Sequence, residues 1–275
     1  MFKTKLMIAI AAAGFSAVAS ADIDGSSANG EFTFSAFDAT NGVGYTYELT
    51  DAGFSDLFGS DVRMNSLIGS TNTSSAVGND LLQNPVGGIV FDAALPSFTD
   101  FLSGAVTSSV VWNITSIDTS GSRRMVQTVD VEPSASPYTN SSLNASAAKV
   151  NEYAAAVNTK ITDSDGYALT IVADGAAYAG NNGEKFANNG YDSFGKLDQT
   201  MALYVAGGTS SASNTSKSLF EQLLGENGND VVAKVYMGND GFYHLQIAVV
   251  PEPETYAMLL AGLGLIGFAA RRKSA

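Results

Sequence analysis

Cysteine is absent from this chain of 275 residues, and histidine occurs once, as His244. Without cysteine there are no disulfides, no thiolate metal ligands and no cysteine nucleophile, so stability must come from a packed core. A single histidine has no second imidazole or thiolate with which to complete a metal site or a catalytic triad. We therefore expect a protein without the familiar hydrolase chemistry and without a cofactor. We also expect His244 to point outward from a strand.

Positive charge is also scarce, with 14 Lys and Arg against 27 Asp and Glu. Five of the basic residues and two of the acidic ones lie in the terminal segments 1–21 and 251–275, which leaves 9 basic and 25 acidic residues in 22–250. A surface of that sign repels phosphate backbones, which excludes nucleic acid as a partner. The charge would keep an extracellular protein soluble or gather divalent cations, and solubility is the preferred interpretation.

The N-terminus has the three parts of a secretory signal peptide. Lys3 and Lys5 precede an apolar run, and small residues follow as far as Ala19 and Ala21, which occupy the A-x-A positions. We therefore expect residues 1–21 to form a signal helix that directs the chain to the general secretion machinery and is removed by signal peptidase.

The C-terminal segment contains GLGLIG at 262–267, which matches the spacing of a dinucleotide-binding loop. Such a loop needs a strand before it, a helix after it and an acidic residue about 20 positions further on. Only eight residues follow Gly267, so we do not expect a nucleotide site here. The uncharged run 255–270, closed by Arg271, Arg272 and Lys273, instead predicts a short transmembrane helix with a cytoplasmic basic end. A buried core helix is the alternative.

Pro251, Glu252 and Pro253 stand just before this apolar run, so a Pro-Glu-Pro motif, a hydrophobic span and a basic end follow one another in 251–275. This ending resembles the PEP-CTERM sorting signal of Gram-negative bacteria. The resemblance implies that a membrane-embedded, transpeptidase-like exosortase recognises the motif and removes the tail. It also implies a host that makes extracellular polysaccharide, which would be a further partner.

The two prolines of this motif are consistent with that role, because they fix φ and remove two backbone donors, which keeps the segment extended and accessible. A stiff linker before a permanent anchor is the alternative. We expect transient anchoring in the inner membrane by the C-terminal helix, followed by release to the cell surface or the extracellular space.

A period of two dominates residues 22–250 and predicts short strands. The strand-like runs are EFTFSAF, YTYEL, VVWNITSI, RRMVQTVDV, YALTIVA, MALYV and the two runs that flank GNDG. Helical spacing is found at 144–160, and a capping-box pattern at 218–225 predicts a second helix. We expect a mainly β domain, an antiparallel β-sandwich of jelly-roll type with one or two short packing helices, between the signal helix and a single C-terminal transmembrane helix.

Weak calcium candidates lie in two turn sequences, DSDG with Asp163 and Asp165, and GNDG with Asp240. Neither continues into the twelve-residue loop with a terminal glutamate, and the turn preferences of Asp, Asn and Gly explain both.

These observations predict a non-enzymatic protein of the cell surface or of the extracellular matrix of a biofilm, with a structural or interaction role. The alternative is a secreted carbohydrate-binding module or a glycan-active enzyme that uses calcium. In that alternative Tyr178, Tyr191 and Tyr204 would form a sugar-stacking patch, although half-buried sheet tyrosines are commoner.

Overall fold

The computed structural model describes residues 23, 31–53, 89–118, 124–130, 138–161, 166–182, 193–210, 213–223, 230–250, 261–263 and 265–266. The predicted signal peptide, the Pro-Glu-Pro motif and the basic C-terminal end lie outside these residues.

One antiparallel sheet of eleven strands is the main element of the described chain. The strands are β1 (Glu31–Asp38), β2 (Val43–Gly53), β3 (Ile89–Ala94), β4 (Val111–Asp118), β5 (Arg124–Val129), β6 (Tyr167–Ile171), β7 (Gly195–Lys196), β8 (Thr200–Gly207), β9 (Leu219–Gln222), β10 (Asp230–Met237) and β11 (Tyr243–Val250). Nine of them follow the order β3-β11-β10-β8-β5-β4-β1-β2-β6, while β7 pairs with β4 and β9 with β8.

The sheet curls into a half-barrel, so the mainly β, antiparallel prediction is confirmed. The more specific prediction, a sandwich of two stacked sheets, is wrong. Every strand inside the nine-strand path is hydrogen-bonded on both sides, so successive strands extend one sheet instead of starting a second one. The normal twist between neighbouring strands then bends this wide sheet around its own apolar face.

The inner, concave face of the sheet holds the main core. Phe34 of β1 contacts the rings of Tyr45 on β2 and Trp112 on β4, with centroids 6.0 and 5.9 Å away. A short helix α1 (Phe98–Gly104) follows β3 and places Phe98 and Phe101 against the same aromatic group. Phe34, Tyr45 and Trp112 come from the period-two runs, whose alternate members therefore share one buried face.

A long helix, α2 (Asn140–Asn158), covers part of the outer face and confirms the predicted helix at 144–160, although it starts four residues earlier. Thr139 caps it: its hydroxyl accepts from the backbone of Ser142, whose side chain accepts in return from the Thr139 amide. The helix buries Leu143, Val150 and other apolar residues against the sheet, in a second core separate from the first.

The second predicted helix, at 218–225, is wrong, because Leu219–Gln222 forms β9. β8 has backbone groups along one side that can accept another strand, and β9 pairs with it from Tyr204 to Gly207. Tertiary pairing has overridden a local capping pattern. The described residues 208–210 and 213–218 are irregular, apart from one bridge between Thr139 and Lys217.

Candidate functional site

Strand β11 runs directly into the Pro-Glu-Pro motif. Its last two residues, Val249 and Val250, pair with Val231 and Asp230 of β10, and the next residue is Pro251. Proline has no N–H to donate to a ladder, so the regular pairing of β11 cannot continue past Val250. Pro251, Glu252 and Pro253 themselves lie outside the described residues.

The opposite end of β11 carries a group of hydrogen-bonded polar side chains, which we call the hairpin cluster: Asp92, Tyr236, Asp240, His244 and Gln246. The Nδ1 of His244 lies 3.1 Å from Oδ1 of Asp92, and its Nε2 lies 2.9 Å from Oδ2 of Asp240. The Tyr236 hydroxyl and the Gln246 amide both donate to Oδ2 of Asp92, at 2.9 Å.

Local structure explains how these side chains meet. Tyr236 and His244 are cross-strand partners in the β10–β11 hairpin, and Gln246 and Asp92 are partners between β11 and β3. Cross-strand partners point to the same face of a sheet, so the four side chains share the outer face. Asp240 reaches them from the turn, where its Oδ1 also accepts from the amide of Phe242.

The electrostatics of the cluster favour a charged imidazole. Partial burial lowers the pKa of His244, but hydrogen bonds and charge from Asp240 and Asp92 outweigh it, and the pKa is raised above its usual 6.5. The hydrogen bonds from the Phe242 amide and from His244 lower the pKa of Asp240. With both ring nitrogens protonated, His244 donates to a carboxylate on either side.

The prediction that His244 points outward is confirmed, but its side chain is only 19% exposed and contacts two carboxylates. Sequence reasoning missed Asp92, because β3 itself was missed. A period-two signal exists in IVFDAA, but it is short and only its pairing with β11 gives it meaning.

Of the three calcium candidates, the structure describes Asp240. Asp240 binds His244 and the turn backbone, and Asp163 and Asp165 lie outside the described residues. In the ranges that the structure describes, no three carboxylates or imidazoles form a group suited to a metal ion.

The suggested sugar-stacking tyrosines do not form a surface patch. Tyr178 and Tyr204 are both buried, the first edge-on to Phe37 and the second stacked on Phe220. Tyr191 lies outside the described residues. Burial therefore accounts for the two that are described, of which Tyr204 lies in β8 and Tyr178 between two short 3-10 helices.

Parts of the C-terminal apolar run, 261–263 and 265–266, are helical. Among the described helices, none has the length and apolar character needed to cross a membrane. The remainder of the predicted transmembrane helix lies outside the described residues, as do Ala19, Ala21, Arg271, Arg272 and Lys273.

Comparison with known proteins concerns the junction at the end of β11. The described strands end at Val250, where the C-terminal segment with the Pro-Glu-Pro motif begins. A family model described as the PEP-CTERM protein-sorting motif matches residues 249–273. The chain is therefore a PEP-CTERM sorting domain-containing protein, as its resemblance implied.

The motif indicates an exported protein that exosortase-type machinery sorts and processes. No curated protein and no solved structure matches the chain. The match begins at Val249, so its first two residues are still paired in the sheet.

Proposed function

We propose that this protein is an exported, non-enzymatic component of the cell surface or extracellular matrix. Its signal peptide would be removed on export, its C-terminal helix would anchor it for a time in the inner membrane, and an exosortase-type enzyme would then remove the tail. The domain itself would have a structural or interaction role, with extracellular polysaccharide as a partner.

The observation that supports this proposal most strongly is the junction between β11 and the motif. The last described strand ends at Val250 and the prolines begin at Pro251, so a cut within the motif would leave every described strand intact. An arrangement in which the described strands end before the tail begins suits a tail that is discarded.

The hairpin cluster supports the non-enzymatic part of the proposal. Both nitrogens of His244 are engaged by carboxylates, so neither is placed to take a proton from a hydroxyl nucleophile. The pairing of Asp92 with Tyr236 and Gln246 on one outer sheet face is more consistent with a binding surface than with a catalytic one.

The test is expression of the full chain in two otherwise identical bacterial hosts, one with and one without an exosortase-type enzyme. We expect an extracellular species that lacks residues 255–270 only in the first host, as measured by intact-mass spectrometry. The double variant Pro251→Ala/Pro253→Ala should retain the tail and stay with the membrane fraction.

The matched control is Pro133→Ala/Pro137→Ala, which changes two prolines outside the motif and should be processed like the unmodified chain. Secretion of a full-length product that still carries its tail in the first host would contradict the proposal.

A further inference from the structure

We propose that the hairpin cluster, together with Phe242 beside it, is a binding site for a neutral sugar chain. This inference rests on the proposed interaction role of the domain, and it names the surface and the chemical class of the ligand. The site lies on the outer face of β10, β11 and β3, at the hairpin end of these strands.

The polar side chains of the cluster are held in place before any ligand arrives. Asp92 accepts hydrogen bonds from Tyr236 and Gln246 and lies against one ring nitrogen of His244, while Asp240 holds the other. Side chains that are already ordered lose little rotamer freedom on binding, which removes a cost that flexible surface groups bring to an interface.

Hydrogen-bonding capacity remains for a ligand. Gln246 uses its amide nitrogen toward Asp92, and its carbonyl oxygen has no partner within the described part of the chain. The Tyr236 oxygen donates to Asp92 and keeps lone pairs that can accept. A sugar hydroxyl both donates and accepts, so a fixed arrangement of amide, phenol and carboxylate oxygens suits several hydroxyls on one ring edge.

An exposed aromatic ring completes the site. Phe242 is 57% exposed and lies two residues before His244, and its backbone amide is tied to Asp240. A ring left in water at this position is a ready contact for the apolar face of a sugar ring. From Phe242 to Gln246 the chain spans about 14 Å, the scale of a short oligosaccharide rather than of a single ring.

The charge of the site and of the domain selects a neutral ligand. Asp92 and Asp240 lie within a segment, 22–250, that has 25 acidic and 9 basic residues, so phosphates and anionic polymers are repelled. A protonated His244 between the two carboxylates offsets much of their charge, which weakens the attraction for cations.

The site also lies at the end of β11 that is remote from the sorting motif. β11 has eight residues, so its hairpin end and its junction with Pro251 are roughly 25 Å apart. A chain held at its C-terminus would therefore present the hairpin cluster away from the point of attachment, both before and after processing.

The test uses the single histidine as a reporter. The purified full chain in detergent micelles is titrated with cellohexaose, laminarihexaose and mannohexaose, and the imidazole resonances of His244 are followed by NMR at constant pH. We expect a saturable shift with at least one of the three. Phe242→Ala should weaken that binding about tenfold, because the ring contact is lost.

Gln246→Ala should weaken binding about fivefold, by loss of one hydrogen-bonding side chain. The matched control is Leu169→Ala, another exposed apolar residue, on β6 at the far edge of the sheet, and it should leave the affinity unchanged.

The absence of a saturable shift with all three sugars would overturn the proposal, and so would a Phe242→Ala variant that binds as tightly as the unmodified chain. A larger response to heparin, an anionic polymer, would overturn the choice of a neutral ligand. Because binding is measured on the purified chain, it is independent of tail removal: failed processing in cells would contradict the proposed function and leave this result standing.

Discussion

The outer face of the curled sheet has two halves that differ in how their polar side chains are satisfied. Over β2, β1, β4 and β5, which we call the covered half, helix α2 and the segment 172–182 bury the face. Over β10, β11 and β3, which we call the uncovered half, the face carries the hairpin cluster, and its described side chains are partly exposed.

In the covered half, the polar groups are central to a buried network. Tyr153 of α2 contacts the hydroxyls of Ser35 and Thr46 at 3.2 and 2.5 Å, and burial raises the pKa of this tyrosine to about 12. The Asn182 side chain donates to Ser35 at 2.7 Å and accepts from Thr115 at 3.1 Å.

This network is incomplete. Oδ1 of Asn113, Nε2 of Gln127 and the Tyr178 hydroxyl are buried without a partner among the described residues. Each such group lowers stability relative to a paired one. In the uncovered half, by contrast, the side chains of the cluster are hydrogen-bonded to one another although they are partly exposed. The comparison teaches that pairing in the covered half is needed for stability, whereas pairing in the uncovered half orders a surface.

The largest expected effect in this comparison is that of Leu143→Ala in α2. Leu143 is almost fully buried against the sheet, so its loss should leave a cavity and lower the free energy of unfolding by about 2–4 kcal/mol. Met237→Ala, which truncates a half-exposed side chain beside the β10–β11 turn, should cost less than about 1 kcal/mol. Urea unfolding measures both, and equal costs would remove the distinction between the halves.

A sharper test compares two amides. Asn182→Ala should lower the free energy of unfolding by about 1–3 kcal/mol, because it leaves buried hydroxyls of Ser35 and Thr115 short of a partner. Gln246→Ala removes an amide of the uncovered half and should change the free energy of unfolding by less than about 0.5 kcal/mol. The same urea titrations decide, and a Gln246 variant as unstable as the Asn182 variant would contradict the assignment of roles.

The smallest expected effect is the pH dependence due to His244. Its pKa is raised in the fold, so its stabilising contribution is complete below the unfolded value of about 6.5 and is lost as pH rises through the higher folded value. The lowered pKa of Asp240 keeps that carboxylate ionised throughout this window.

The measurement is the free energy of unfolding of the unmodified chain and of His244→Gln from pH 5.5 to 8.5. The stability advantage of the unmodified chain should shrink with rising pH. A constant or growing advantage would show that the two carboxylates do not favour the charged imidazole.

Local patterns in the sequence were sufficient for much of the fold. The alternating runs on either side of GNDG predicted the β10–β11 hairpin, and the same alternation placed His244 on the outward face. The helix around Val150 followed from its spacing. These features depend on residues close together in the chain, where period and turn chemistry act directly.

The features that were missed depend on distant partners. Asp92 meets His244 across 152 positions, through the pairing of β3 with β11, and no local pattern encodes that choice. Leu219–Gln222 had a helical pattern but joined β8, whose open side supplied hydrogen bonds. A period of two predicts strands but not which strands pair. The sequence therefore could not distinguish a sandwich from a single curled sheet.

The interior position of β11 determines when the domain can finish folding. β3 and β10 are far apart in the chain, and in the described sheet β11 joins them, through pairs such as Leu245 with Ala93 and Val235. During export this link cannot form until residues 243–250 have crossed the membrane, and the sorting segment follows immediately. Completion of the fold and arrival of the signal for its release are therefore close to simultaneous, so a processing enzyme that waits for the tail also receives a finished domain.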